Sequence, residues 1–322
     1  MELPTNLKTI ELIFEADTGI LWCHMLQRPR QAATPQLLAD LINVQKFVAD
    51  TIGKEAHPIK AFALASRNPK VFCSGGDLEL FSNCVTNNDS KTLTKYAHDC
   101  IKVVSQFHDL PIPTFALVRG AALGGGFELA LAADTLVVEK GSMLHFPEWA
   151  IGLFPGMGAV SFLARLVGMD TAQSMLVRSK PVHLNILKEL GIVDSIVPRG
   201  EGENAIRSCV QSAGPSPVKA RKVCFNSSAK SGNYAPLATK LWSDHFNVSH
   251  AVNDAFTLVG KTLTGAQELS WIVGTWVQTV IQLDAVFLEN ILDKVRRQDG
   301  MKTQPTPPDY KKPPVHTATA RP

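Results

Sequence analysis

Pro113-Thr114-Phe115-Ala116-Leu117-Val118-Arg119-Gly120-Ala121-Ala122-Leu123-Gly124-Gly125-Gly126-Phe127-Glu128 is the stretch whose reading decides the fold. Thr114 to Val118 is β-branched and aromatic, which reads as a buried strand. Phe127 to Ala133 has helical composition, so the three glycines stand where a strand turns into a helix. The first N–H groups of a helix lack intrahelical partners, and the helix dipole adds partial positive charge there. With no Cβ at Gly124, Gly125 and Gly126, a ligand oxygen can come close to those donors. Such a turn can hold an anion or a developing oxyanion.

Two acids give the turn chemical meaning. Glu128 comes two residues after the glycines, and Glu148 twenty residues later between Pro147 and Trp149. Read singly, Glu128 is a first-turn acid favoured by the helix dipole and Glu148 an exposed loop acid. Together, each among apolar neighbours and with a second glycine-rich loop upstream at Ser74-Gly75-Gly76, they read as an acid–base pair.

The segment resembles the crotonase (enoyl-CoA hydratase/isomerase) superfamily, with its oxyanion turn followed by two glutamates in this order. Val71-Phe72-Cys73-Ser74-Gly75-Gly76-Asp77-Leu78 resembles the loop that supplies that family's other oxyanion donor. Within the family, Gly75 to Phe81, Leu153 to Phe162, Gly191 to Gly200 and Trp276 to Leu283 resemble the branch that makes diffusible-signal-factor cis-2-unsaturated fatty acids. The resemblance implies an α/β spiral of repeated ββα units with a C-terminal helical region. It implies oxyanion donors at Gly76 and Gly125, and catalytic carboxyls at Glu128 (C3 oxygen) and Glu148 (C2 proton). Gly124, Leu153, Met157 and Trp276 are the expected substrate contacts. The substrate would arrive as a CoA or acyl-carrier-protein thioester with no further cofactor, and the assembly would be a homotrimer or a dimer of trimers.

Around this centre the chain reads in order. Residues 8–15 and 19–26 form a hairpin about Asp17-Thr18-Gly19, and Pro35 to Thr51 is an amphipathic helix capped by Thr34. A strand over Ile59 to Ser66 leads into the first glycine loop. Asp77 caps a helix behind that loop, and Thr92 to Phe107 is a long helix that stops before Pro111. A strand at Asp134 to Glu139 and a helix from Gly158 to Val167, ended by Gly168, complete the alternation expected of an α/β fold. Residues 1–200 are read as the spiral core and 201–298 as a helical domain, with a strong apolar stripe over Trp271 to Arg297. Residues 214–265 are longer than the family's usual connection, and 299–322 form a proline-rich tail without periodicity.

Composition limits the function classes. A length of 322 residues with 45% hydrophobic and 19% charged residues fits a globular enzyme. A net charge of +3 gives no footing for nucleic acid or a membrane surface. The first residues hold no apolar signal segment and the chain no membrane-length apolar run, so a cytoplasmic protein is expected. The six cysteines lack disulfide or metal spacing and read as small hydrophobes. His145 could orient Glu148, and Arg28-Pro29-Arg30 could meet a carrier phosphate; a structural histidine and a solvated turn are the plainer readings.

The leading expectation is therefore a 3-hydroxyacyl or 2-enoyl thioester hydratase/dehydratase that also hydrolyses the thioester and releases a cis-2-unsaturated acid. A crotonase-type tailoring enzyme of polyketide or peptide assembly, dehydrating or decarboxylating, is the first alternative. A non-catalytic crotonase-fold binding protein is the second.

Overall fold

The computed structural model describes residues 1–26, 29–52, 57–153, 155–213, 276–277, 280 and 288–293. Strands β1 (Ile10–Glu15) and β2 (Ile20–Met25) form the expected antiparallel hairpin. Helix α1 (Pro35–Ile52) follows, with Thr34 Oγ1 accepting from the Leu37 N–H at 3.2 Å. Strand β3 (Ala61–Ser66) is fully buried, and its short Ala-Phe-Ala-Leu-Ala run fits between β2 and β5 (Thr114–Val118), parallel to both. With β7 (Thr135–Glu139) and β9 (Ser195–Val197) these make a six-stranded sheet ordered β1-β2-β3-β5-β7-β9.

A second sheet decides where the site lies. Three short strands, β4 (Val71–Cys73), β6 (Ala121–Leu123) and β8 (Met143–His145), pair in parallel in that order. Each follows a strand of the larger sheet: β3 then β4, β5 then β6, β7 then β8. Each such pair is followed by helix: α2 (Leu78–Thr86) with α3 (Ser90–Asp109), then α4 (Gly125–Leu131), then α5 (Ala159–Val167). This is the ββα spiral expected from the resemblance.

One local expectation is corrected. The glycine turn does not leave the buried strand 114–118 directly, because β6 intervenes. Three-residue strands carry too little periodicity to be read from sequence. Gly120 makes the corner between the sheets: its φ is +73° and a Cβ there would lie 1.9 Å from the Lys70 carbonyl oxygen. Only glycine fits so close an approach.

The core lies between the large sheet and α1 and α3. Leu41, Val44 and Val48 of α1 and Val103, Val104 and Phe107 of α3 are buried at helical spacing. Phe107 meets Phe62 of β3 edge-on at 5.7 Å, and truncating such a ring costs about 3–5 kcal/mol. Helix α8 (Gly202–Ser212) covers the opposite face of the sheet through Ile206 and Val210. Between α5 and β9 come α6 (Met169–Arg178) and α7 (Leu184–Glu189). Most of the stripe 271–297, the connection 214–265 and the tail 299–322 lie outside the described residues.

Candidate active site

The small sheet places three loops at one end. Parallel pairing sets Cys73 beside Ala122 and Leu123 beside His145. The segments that follow, Gly75-Gly76 after β4, Gly124-Gly125 after β6 and Glu148 after β8, therefore emerge together. Ligands in parallel α/β sheets bind outside such carboxyl ends. The Gly124 N–H donates to the His145 carbonyl at 2.8 Å, tying the oxyanion turn to the Glu148 segment. Phe127 and Phe146 stack at 4.6 Å behind it.

Gly125 is the first residue of α4, where an N–H has no intrahelical acceptor. A Cβ on Gly125 would stand 3.7 Å from the Gly76 nitrogen, so the two expected donors are close neighbours. The Gly76 loop is fastened on several sides. Ser74 N–H donates to the Gln31 carbonyl at 2.7 Å and Ala33 N–H to the Gly75 carbonyl at 2.8 Å. The Tyr96 hydroxyl accepts from Asp77 N–H at 3.1 Å and donates to the Ala33 carbonyl at 2.8 Å. Asp77 caps α2 as expected, accepting from Leu80 N–H. Arg30 is not a solvated turn residue: it pairs with Asp77 at 2.7 Å and with Glu79, locking the start of α2. A rigid support of this kind holds donors ready for a developing charge.

The two glutamates differ in surroundings. Glu128 is 1% exposed, and its Oε1 accepts from the Met157 and Ala159 N–H groups at 2.8 Å each. Those donors lie at the N-terminus of α5 and just before it, so residues 157–159 cradle the carboxyl. Burial nevertheless pushes the Glu128 pKa up from 4.5 to about 7, against the pull of the backbone donors. Glu148 begins a 3-10 turn (Glu148–Ile151). Its Oε2 is buried without a hydrogen-bond partner among the described residues. Burial first and the Glu128 charge second raise its pKa well above the usual carboxylate range. Two nearby carboxyls disfavour each other's charge, so Glu128 ionises first and its charge helps to hold the proton on Glu148.

Seven of the eight expected site residues line one cavity of about 40 Å3: Gly76, Gly125, Glu128, Glu148, Leu153, Met157 and Trp276. The eighth, Gly124, sits just behind. A Cβ there would fall 2.2 Å from Glu148 Oε1, so this glycine leaves room for the carboxyl. The sequence reading missed Phe81, Tyr96, Ala97, Cys100 and Gly156, which line the same cavity. Tyr96, Ala97 and Cys100 share one face of α3, a signal present in the helical spacing but indistinguishable there from core. His145 supplies a backbone acceptor; its Nδ1 finds no partner among the described residues.

Relatives agree with this architecture. Residues 16–254 match the model of the Enoyl-CoA hydratase/isomerase family. DspI of Pseudomonas aeruginosa superposes with a TM-score of 0.57 at 23% identity, over 64% of this chain and 82% of that one. An enoyl-CoA hydratase of Bacillus halodurans gives 0.62 at 20% identity, over 88% of this chain and 100% of that one. One of Mycobacterium smegmatis gives 0.56 at 25% identity, over 64% and 76%. With a family match across most of its length and the family's spiral in its sheets, this chain belongs to the enoyl-CoA hydratase/isomerase family.

Proposed function

We propose that the protein adds water to, or removes it from, the C2–C3 bond of an acyl thioester, with Glu128 and Glu148 as the acid–base pair. The observation that carries this is the convergence of a cradled carboxyl, a second buried carboxyl and two glycine amides on one cavity. The thioester oxygen lies between the Gly76 and Gly125 N–H groups, where one donor contributes about 3–4 kcal/mol to a developing oxyanion. In hydration, Glu128 takes a proton from water as its oxygen bonds to C3. The enolate then takes the Glu148 proton at C2. Dehydration runs the same steps backwards. Every proton is carried by the two carboxyls, so the reaction calls only for water and the CoA or acyl-carrier-protein thioester beyond the protein.

The same amides can also stabilise a tetrahedral oxyanion at C1. A water directed there by a carboxylate would expel the thiol and leave a free acid, with no new nucleophile. This hydrolysis, giving a cis-2-unsaturated acid of the diffusible-signal-factor type, is the fuller reading supported by Gly75 to Phe81 and Leu153 to Phe162. A cytoplasmic homotrimer or dimer of trimers goes with it. The tailoring and non-catalytic alternatives make different products or none. Purified protein given 3-hydroxyacyl thioesters on both carriers, with enoyl thioester, free thiol and free acid followed together, separates them. Thiol and unsaturated acid appearing in equal amounts is the expected result. Enoyl thioester accumulating without thiol leaves the hydratase and removes the hydrolysis.

A further inference from the structure

Gly76 lies where two stretches of chain run side by side without forming a strand pair. Ala33 stands opposite Gly76 in a single parallel bridge, and the Ala33 N–H donates to the Gly75 carbonyl at 2.8 Å. In a regular parallel ladder the next rung would run straight from the Asp77 N–H to the Ala33 carbonyl. The Tyr96 hydroxyl stands in that rung. It accepts from the Asp77 N–H at 3.1 Å and donates to the Ala33 carbonyl at 2.8 Å. A side chain from α3 therefore spaces the two backbones immediately after Gly76, as the Gly75 carbonyl ties them immediately before it.

The hydroxyl is fixed in this place. Its ring meets Phe81 edge-on at 5.5 Å and lies tilted against Trp276 at 6.3 Å, and Tyr96 is buried. Burial lifts the phenol pKa well above its usual range, so the proton given to Ala33 is retained. Asp77 and Ala33 are buried as well, and a buried N–H and C=O need partners. Without the hydroxyl they can satisfy one another only by closing the direct rung. That closure draws Asp77 towards Ala33 and turns the neighbouring Gly76 N–H with it.

Resting on the hydratase reading, we propose that Tyr96 is a positioning residue: its hydroxyl spaces Ala33 from Asp77 so that the Gly76 N–H meets the thioester oxygen together with the Gly125 N–H. Proton transfer stays with the two glutamates, and Tyr96 acts through Gly76. Removing an oxyanion donor outright costs about 10²–10³-fold in kcat, so displacing one should cost about tenfold to 10²-fold. The donor's bond strengthens as charge develops on the oxygen, so the loss falls on kcat rather than KM.

The test compares the full chain as wild type, Tyr96→Phe and Asp40→Asn. Tyr96→Phe keeps the ring and deletes only the hydroxyl, and the direct rung lets it fold. Asp40→Asn is the control for lost stability, because Asp40 is buried and its hydrogen bonds run to Lys8, Thr9 and Gln36, outside the cavity lining. Urea unfolding ranks the three proteins, and kcat and KM are measured for hydration of a 2-enoyl thioester. The direct readout is the infrared stretch of a 13C-labelled carbonyl in a ketone analogue of hexanoyl-CoA, with CH2 replacing sulfur so that it is neither hydrated nor hydrolysed. Wild type should lower this stretch below its value in water. Tyr96→Phe should lose at least half of that lowering and about tenfold or more in kcat, with KM within about twofold. Asp40→Asn should unfold at lower urea and keep both the stretch and kcat. A wild-type stretch or a wild-type kcat in Tyr96→Phe overturns the proposal, as does an equal change in Asp40→Asn or no lowering in wild type. A stretch that depends on Tyr96 in a protein that hydrates nothing would sink the hydratase reading alone.

Discussion

Replacing Glu128 with Gln should make the protein more stable, and increasingly so as pH rises. The side chain is 1% exposed, and Oε1 accepts two backbone N–H groups, which the Gln oxygen can equally accept. What the variant loses is the charge. Burial raises the pKa from 4.5 to about 7, a difference worth about 3 kcal/mol. The sign follows from linkage: the unfolded chain gives up this proton near pH 4.5, but the folded one holds it to about pH 7. Wild type is therefore unpenalised below 4.5, loses stability from there to about 7, and carries the full cost above. The Gln variant escapes that cost. Urea unfolding of both proteins at pH 5 and pH 8 measures it. The stability advantage of the variant should be about 2–3 kcal/mol larger at pH 8, while turnover falls about 10²-fold or more. An advantage equal at the two pH values, or a variant less stable at pH 8, would refute the assignment of Glu128 as a buried, costly carboxylate.

Three further outcomes are expected. Gly124→Ala places a methyl 2.2 Å from Glu148 Oε1 at a φ of +49°; unfolding should show a loss of about 1–3 kcal/mol, and steady-state kinetics a loss of at least tenfold. Gly125→Val would crowd Met157, whose Sδ lies 2.6 Å from the Cβ position, and a folded variant with wild-type kcat/KM would show that the thioester oxygen is bound elsewhere. The hydration rate should be bell-shaped in pH, rising as Glu128 ionises near 7 and falling at higher pH as Glu148 loses its proton. An acid limb below pH 5 would place Glu128 in the ordinary carboxylate range instead.

The long elements and most residues that line the cavity were legible in the sequence because each leaves a local mark. Asp77, Thr34 and Gly168 announce helix ends, and the glycine turn with Glu128 announces a carbonyl-binding loop. The small sheet was not legible. Val71–Cys73, Ala121–Leu123 and Met143–His145 are too short for alternation to show, yet their pairing is what brings Gly76, Gly125 and Glu148 to one place. The protonation order of the glutamates was also hidden. It depends on the α5 N-terminus donating to Glu128 across 29 to 31 residues, and on Glu148 Oε2 lacking a partner among the described residues. Phe81 was not singled out as a pocket residue, because an aromatic on a short amphipathic helix has no sequence mark distinguishing packing from a pocket wall.

The most direct test of the two-carboxyl account is the hydration of a short 2-enoyl thioester, followed by loss of the conjugated enoyl absorbance. Wild type is compared with Glu128→Gln and Glu148→Gln, each verified as folded. The account predicts turnover by wild type and a loss of about 10²-fold or more in each variant, because neither proton transfer can be made without its carboxyl. Wild-type rates in either folded variant would contradict it.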